Sequence, residues 1–176
     1  VEDAIPGFHD TPRRYRKFRA VIQEIVDGKQ GERLARAREL VDEVHSRSAQ
    51  FGVIERERVA GTVSTHVCHN DTKVNNVLLD EETREPLCVI DFDTVGRGSP
   101  LMDVGDLLRT AAATVSEEEQ DETKVAADPY AAREIIDAFA DVLSERLNER
   151  ERQLLPFSGW VITMEQAIRY LTDSLE

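Results

Sequence analysis

The groups that could do chemistry sit close together. His69, Asp71, Lys73 and Asn76 share one polar run, and Asp91 and Asp93 follow a short apolar stretch. A carboxylate, an amide a few residues on and a second carboxylate beyond a hairpin is the order that magnesium-dependent phosphoryl transfer uses.

The spacing carries a geometric argument. Val77-Leu78-Leu79 and Leu87-Cys88-Val89-Ile90 are apolar runs, and residues 80–86 between them are polar and end on a proline, which marks a turn. An antiparallel hairpin centred on that turn sets residue 77 against 90 and residue 76 against 91. Opposed residues hold their Cβ atoms roughly 4.5–5.5 Å apart, so an oxygen from Asn76 and one from Asp91 could share a magnesium ion at about 2.0–2.1 Å. Two hard oxygen donors leave room for phosphate and water, which is a nucleotide-magnesium site and not an all-protein cage. Asp71 lies on the loop entering the hairpin, where a carboxylate could meet an incoming hydroxyl. Lys73 is placed to put positive charge near a transferred phosphate.

His69-x-Asp71-x-x-x-x-Asn76 followed by Asp91 resembles the catalytic and metal-binding loops of the kinase-like phosphotransferases that include aminoglycoside and choline kinases. The longer strings at residues 65–78 and 89–95 are similar, more narrowly, to N-acetylhexosamine 1-kinases. So are Phe8-His9-Asp10-Thr11-Pro12, Gly105-Asp106-Leu107-Leu108-Arg109, Leu154-Leu155-Pro156-Phe157 and Leu171-Thr172-Asp173. The resemblance implies Asp71 as catalytic base or hydroxyl-orienting carboxylate, Lys73 on the transferred phosphoryl group, and Asn76 and Asp91 on Mg2+ with ATP as donor. It implies structural support from His69, which would bond backbone near the metal loop, and from Asp103, which would brace the catalytic loop at a helix start. It also offers Arg169 and Asp173 as substrate-pocket residues, beside an equal reading as exposed salt-bridging groups. Asp93 stands where an Asp-Phe-Gly would have glycine; a second magnesium, a sugar hydroxyl or a cap on the next loop would each use it. Gly96-Arg97-Gly98-Ser99-Pro100 also departs from the hexosamine kinases.

Composition narrows the partners. A net charge of −13 repels nucleic-acid phosphates and anionic lipid, and no run approaches the ~20 apolar residues of a membrane span. Nucleic acid and membrane are therefore not expected partners. Arg13-Arg14-Tyr15-Arg16-Lys17 reads as a solvated helix face. Two cysteines make no disulfide framework, and a reducing, cytoplasmic setting suits them. His66, Cys68, His69 and Cys88 fit none of the paired spacings of structural zinc. Gly28-Lys29-Gln30-Gly31 lacks the full phosphate-loop pattern and a preceding strand.

The positioning elements follow from periodicity. Asp10 or Thr11 before Pro12 caps a helix that buries Tyr15, Phe18, Val21, Ile22 and Ile25 and ends at Asp27-Gly28. Capping is the preferred reading of His9-Asp10-Thr11 over a substrate contact. A second helix is expected over 32–49 with Leu34, Leu40, Val41 and Val44 inward, then a linking stretch through residue 58 and a strand over 62–67. Helices are expected over 100–115, with Leu107 and Leu108 inward, and over 130–149, separated by an acidic loop at 116–121. A last helix carries Phe157, Trp160, Val161, Met164, Ile168 and Leu171, with Pro156 starting or kinking it; Trp160 reads as core.

These expectations combine into one α+β, mainly helical domain over residues 1–176: the large C-terminal lobe of a protein-kinase-like fold, with a small β-hairpin carrying the catalytic and metal residues. No glycine-rich hairpin or strand lysine precedes His69, so the nucleotide-covering lobe is expected to be absent and the fragment weak or inactive alone. The expected activity is transfer of the γ-phosphoryl of ATP to a small-molecule hydroxyl, the anomeric one of an N-acetylhexosamine. Alternatives are a kinase of an aminoglycoside, choline-like or other small alcohol, and a non-catalytic binding module. Surface left uncovered by the missing lobe would favour self-association.

Overall fold

The first helix starts where the sequence places it. In a computed structural model, which describes residues 5–28 and 31–176, Asp10 accepts the Arg13 N–H at 2.8 Å and caps α1 (Thr11–Asp27). α1 buries Phe18, Val21 and Ile25. Lys29 and Gln30 of the glycine-flanked stretch lie outside the described residues.

The expected helix over 32–49 is two: α2 (Gly31–Arg36) and α3 (Arg38–Ser46), which meet at Ala37. The break turns Val41 and Val44 inward and leaves Leu40 62% exposed, against expectation. The linking stretch is partly helical, because Ile54 of α4 (Val53–Val59) is a core residue. β1 (His66–Cys68) is shorter than expected and pairs antiparallel with β4 (Gly96–Gly98). β2 (Val77–Leu79) and β3 (Pro86–Val89) form the hairpin.

α5 (Pro100–Ala111) is capped by Ser99 with proline in its first turn. It ends before residue 115, and an isolated bridge between Ala113 and Ala127 follows it. α6 (Pro129–Val142) stops well short of residue 149; Val142 is 82% exposed, and Leu147 reaches the core from the connecting turn instead. α7 (Glu149–Leu175) opens on a reciprocal capping box between Asn148 and Glu151, so Pro156 neither starts nor ends it and sits within the helix.

α7 joins two apolar clusters. Its first half packs Leu154, Leu155, Val161 and Ile162 against Leu101, Val104 and Leu108 of α5 and Ile54 of α4. Its second half sets Ile168 and Leu175 against Phe18, Val21 and Ile25 of α1 and Val41 and Val44 of α3. Trp160 lies between them, stacked on Phe51 at 6.0 Å and Phe157 at 5.2 Å, which is a core position. Close approach of α5 to α7 needs Gly105: a Cβ there would stand 2.6 Å from the Ser158 carbonyl oxygen. The result is a mainly helical α+β lobe whose two small sheets frame one polar loop.

Candidate active site

That loop runs between β1 and β2, and α5 holds it from below. Asp103, in the first turn of α5, accepts the His69 N–H through Oδ2 at 3.1 Å and the Asn70 N–H through Oδ1 at 2.8 Å. Thr72 Oγ1 donates to the Asp103 carbonyl, and the Val74 N–H donates to Thr110 Oγ1 at 3.1 Å, two turns further along the helix. Backbone donors of an irregular loop must find acceptors when water is excluded, and a rigid helix supplies them here. Burial pushes the Asp103 carboxyl above its ordinary range, against the lowering effect of the two backbone bonds. Burial, with the neighbouring Asp103 carboxylate, also pushes the Cys68 thiol up to about 12.

A second set of contacts ties the loop to the chain that follows β3. His69 Nδ1 accepts the Asp71 N–H at 3.3 Å and Nε2 donates to the Ile90 carbonyl at 3.0 Å, which fixes the Nε2–H tautomer. Asn70 Nδ2 donates to the Thr94 carbonyl at 2.9 Å, while Thr94 Oγ1 donates to the His69 carbonyl at 2.7 Å. Asn70 and Asp91 both adopt left-handed backbone at φ 65°, a region Asn and Asp enter more readily than other side-chain-bearing residues. At Gly98 an added Cβ would collide with Asn70 Oδ1, so β4 passes the loop only as glycine.

The hairpin register differs from the one expected. Val77 pairs with Val89 and Leu78 with Cys88, and the ladder slips again at Leu79 with Pro86. The Ile90 N–H donates to the Asn76 carbonyl at 2.9 Å, so residue 76 is matched with 90 and not with 91. Asn76 instead closes a 3-10 turn (Val74–Asn76), and Asp91 leads into another (Phe92–Thr94). The two residues flank the open end of the hairpin without being a ladder pair. A left-handed residue at 91 ends strand pairing one step earlier than an unbroken alternation would.

Asp71, Lys73 and Asn76 converge. Asp71 Oδ2 receives Lys73 Nζ at 3.0 Å and Asn76 Nδ2 at 2.9 Å, and Asn76 Nδ2 also donates to the Asp71 carbonyl at 2.8 Å. The hydrogen bond that Lys73 donates to Asp71 raises the Lys73 pKa despite partial burial, with further help from the charges of Asp71, Asp91 and Asp106. Asp91 therefore lies within electrostatic reach of the same ammonium. Among the described residues no protein donor reaches Asp71 Oδ1 or Asn76 Oδ1, and Asp91 is exposed. Free carboxylate and amide oxygens are the donors a hard divalent cation takes. No cluster of three or more histidine, cysteine or acidic side chains able to hold a metal occurs among the described residues.

Asp93 is exposed on the turn after Asp91. Arg169 and Asp173 are not brought to the loop: both are exposed on α7, Arg169 beside Gln166 and over the Tyr170 ring, Asp173 near Arg33 and Arg36. A cleft of about 400 Å³ opens between the N-terminal arm, α4 and β4, lined by Phe8, Asp10, Glu55, Arg58 and Arg97. It reaches Asn70, the residue before Asp71.

The sequence offered no signal for a buried cluster behind the loop. His9 Nε2 lies 2.7 Å from the Asn70 carbonyl and Nδ1 lies 2.9 Å from Glu165 of α7. Thr11 Oγ1 donates to the other Glu165 oxygen at 2.6 Å, and Arg14 Nε stands 3.4 Å from the oxygen that faces His9. Arg14 thus turns inward from the basic run read as a solvated face, and donates to the Phe8 carbonyl at 2.6 Å. Asp10 is the cap, whereas His9 and Thr11 act at long range.

The site is a carboxylate with one oxygen secured and one free, beside a cation and two unpartnered hard-oxygen donors. That is an arrangement for delivering a hydroxyl to a phosphoryl group. The profile of the phosphotransferase enzyme family (APH) matches residues 3–139, which include every one of these loop residues and both small sheets. The helical lobe, the two small sheets framing the loop and that match lead to one conclusion: this chain belongs to the phosphotransferase enzyme family.

Proposed function

We propose that the chain is the catalytic lobe of an ATP- and magnesium-dependent small-molecule kinase, with Asp71 as the base that receives the acceptor's proton. The observation that carries this is the division of labour at Asp71. Its Oδ2 is held by Lys73 and Asn76, which leaves Oδ1 to meet a hydroxyl. The acceptor oxygen forms a bond to the γ-phosphorus, the bond from that phosphorus to its bridging oxygen breaks, ADP leaves with the electron pair, and the hydroxyl proton passes to Asp71. Asn76 and Asp91 would hold Mg2+, which when bound neutralises charge on the phosphate oxygens. Lys73 supplies a second positive charge to the same region.

The acceptor we favour is an N-acetylhexosamine at its anomeric hydroxyl, from the resemblance of residues 65–78 and 89–95; a sugar hydroxyl, a second magnesium or a cap on the next loop would each use Asp93. The charge of −13 favours one alternative, a cationic alcohol or aminoglycoside. A second, nucleotide-covering lobe would pack on the hairpin, where Leu78, Leu87, Val89, Ile90 and Phe92 are exposed. Without it, that apolar surface favours self-association and turnover is weak.

The test is a panel of sugar, aminoglycoside and choline-like acceptors with radiolabelled ATP, run on the full-length protein, together with calorimetry of nucleotide binding. Mg2+-dependent nucleotide binding and labelled product on a hexosamine are the expected results. Nucleotide binding without transfer to any acceptor would favour a non-catalytic binding module, and no binding would end the reading.

A further inference from the structure

The buried group that the proposed chemistry leaves unused is His9. It stands on the irregular arm before α1, its side chain 9% exposed, against the peptide that precedes Asp71. Its two ring nitrogens face acceptors only: a carboxylate oxygen of Glu165 on one side and the Asn70 carbonyl on the other. A neutral imidazole has one N–H and would leave one of these contacts as lone pair against lone pair. The imidazolium satisfies both. Glu165 is 1% exposed; Thr11 donates a neutral hydroxyl to one oxygen, and Arg14 Nε forms an ion pair with the other at 3.4 Å without a hydrogen bond, so among the described residues His9 is the one cation hydrogen-bonded to it.

We propose that His9 is a positioning residue for the catalytic loop: as an imidazolium it anchors the Asn70 carbonyl to Glu165 of α7 and thereby sets the peptide that carries Asp71. Asn70 is the residue that most needs such an anchor. Its backbone is left-handed, its N–H is fixed by Asp103 and its side chain by Thr94, so the carbonyl is the one remaining handle on the direction in which the chain enters Asp71. The charged groups around His9 come from three elements: Glu165 on α7, Arg14 on α1, and Asp103 and Asp106 on α5. Asp106 is itself paired with Arg109 on the same helix, so Glu165 and Asp103 face the Arg14 guanidinium alone, and two carboxylates against one guanidinium favour a cation in their midst. Burial lowers the His9 pKa, but the hydrogen bond and charge of Glu165, the Asn70 carbonyl and the charge of Asp106 outweigh it and leave it raised. The inference rests on Asp71 as the reacting carboxylate, although the anchor itself can be observed without turnover.

The experiment has two arms. In the first, the 176-residue protein is labelled with nitrogen-15 at histidine and observed by NMR, with amide exchange measured in wild type, His9→Ala and Glu165→Gln. Both His9 ring nitrogens should be protonated at pH 7.5, where an ordinary histidine of pKa about 6.5 is mostly neutral. His9→Ala should speed exchange at Asn70 and Asp71 tenfold or more while amides of α5 and α7 keep their protection. Glu165→Gln can donate to a neutral His9 and leave its other N–H on Asn70; it should lower the His9 titration and spare the loop amides. A neutral His9 at pH 7.5, or loop exchange unchanged in His9→Ala, overturns the proposal. In the second arm, on the full-length protein, His9→Ala should lower kcat tenfold or more with the nucleotide KM within threefold; equal kcat overturns the positioning role. A wild type without Asp71-dependent turnover would refute the kinase reading, while the first arm would still decide the anchor.

Discussion

Replacing Asp103 by Asn tests how the polar loop between β1 and β2 is held, because the change keeps the side chain's size and removes one acceptor. The carboxylate now takes two backbone N–H groups on separate oxygens, from His69 at 3.1 Å and Asn70 at 2.8 Å. An amide can accept only one, and its NH2 must face the other donor. Losing a hydrogen bond to a charged acceptor costs about 1.5–3 kcal/mol, more when a partly buried donor is left unsatisfied. Against this, the neutral amide escapes the burial that pushes the Asp103 carboxyl up. The net loss should therefore lie near 2 kcal/mol, at the low side of that range. Urea unfolding followed by circular dichroism measures it. With a slope of about 2 kcal/mol per molar, the midpoint should fall by about 1 M. Local opening should show the same energy as a roughly 30-fold faster exchange at whichever of His69 and Asn70 loses its acceptor. A midpoint within about 0.2 M of wild type, with both amides still protected, would mean that α5 does not hold the loop through this carboxylate.

Asp71→Asn in the full-length protein should reduce turnover by about 10²–10⁴-fold, with magnesium-dependent nucleotide binding by calorimetry little changed. Gly105→Ala should destabilise the fold by about 1–3 kcal/mol in thermal or urea unfolding, because the new methyl meets the Ser158 backbone of α7 as well as the buried Ile162 side chain. Thiol labelling at pH 8 should modify Cys88, which is exposed, and spare Cys68, whose thiol burial pushes up to about 12, until denaturant frees both. His9 has a raised pKa in the fold, so its contribution is complete below its unfolded value of about 6.5 and is lost as pH rises through the folded value. Urea midpoints in wild type should fall across that window more than in His9→Ala, and equal slopes would count against the imidazolium.

Much of the molecule was legible in the order of its residues. The run from His69 to Asp93 marks a candidate site by residue type and spacing, and the stripe Phe18, Val21, Ile25 with the Asp10 cap fixes α1, because both signals are local. What failed locally failed for a physical reason. Leu40 fits a helical stripe and is exposed because the chain breaks at Ala37, and Leu147 fits α6 but reaches the core from the turn that starts α7. Strand register was off by one residue because periodicity cannot see the irregularity between Leu78 and Leu79 at the turn end of the hairpin.

By itself the sequence determined which groups are present to react and that a short hairpin sets Asn76 and Asp91 at its mouth. Only the tertiary structure decided what holds them: Asp103 and Thr110 on α5 beneath the loop, and His9 with Glu165 behind it. Those partners are separated from the loop residues they hold by 33 to 61 positions. Hydrogen bonds across such distances follow from how helices pack, and packing is a property of the whole chain that no single stretch encodes.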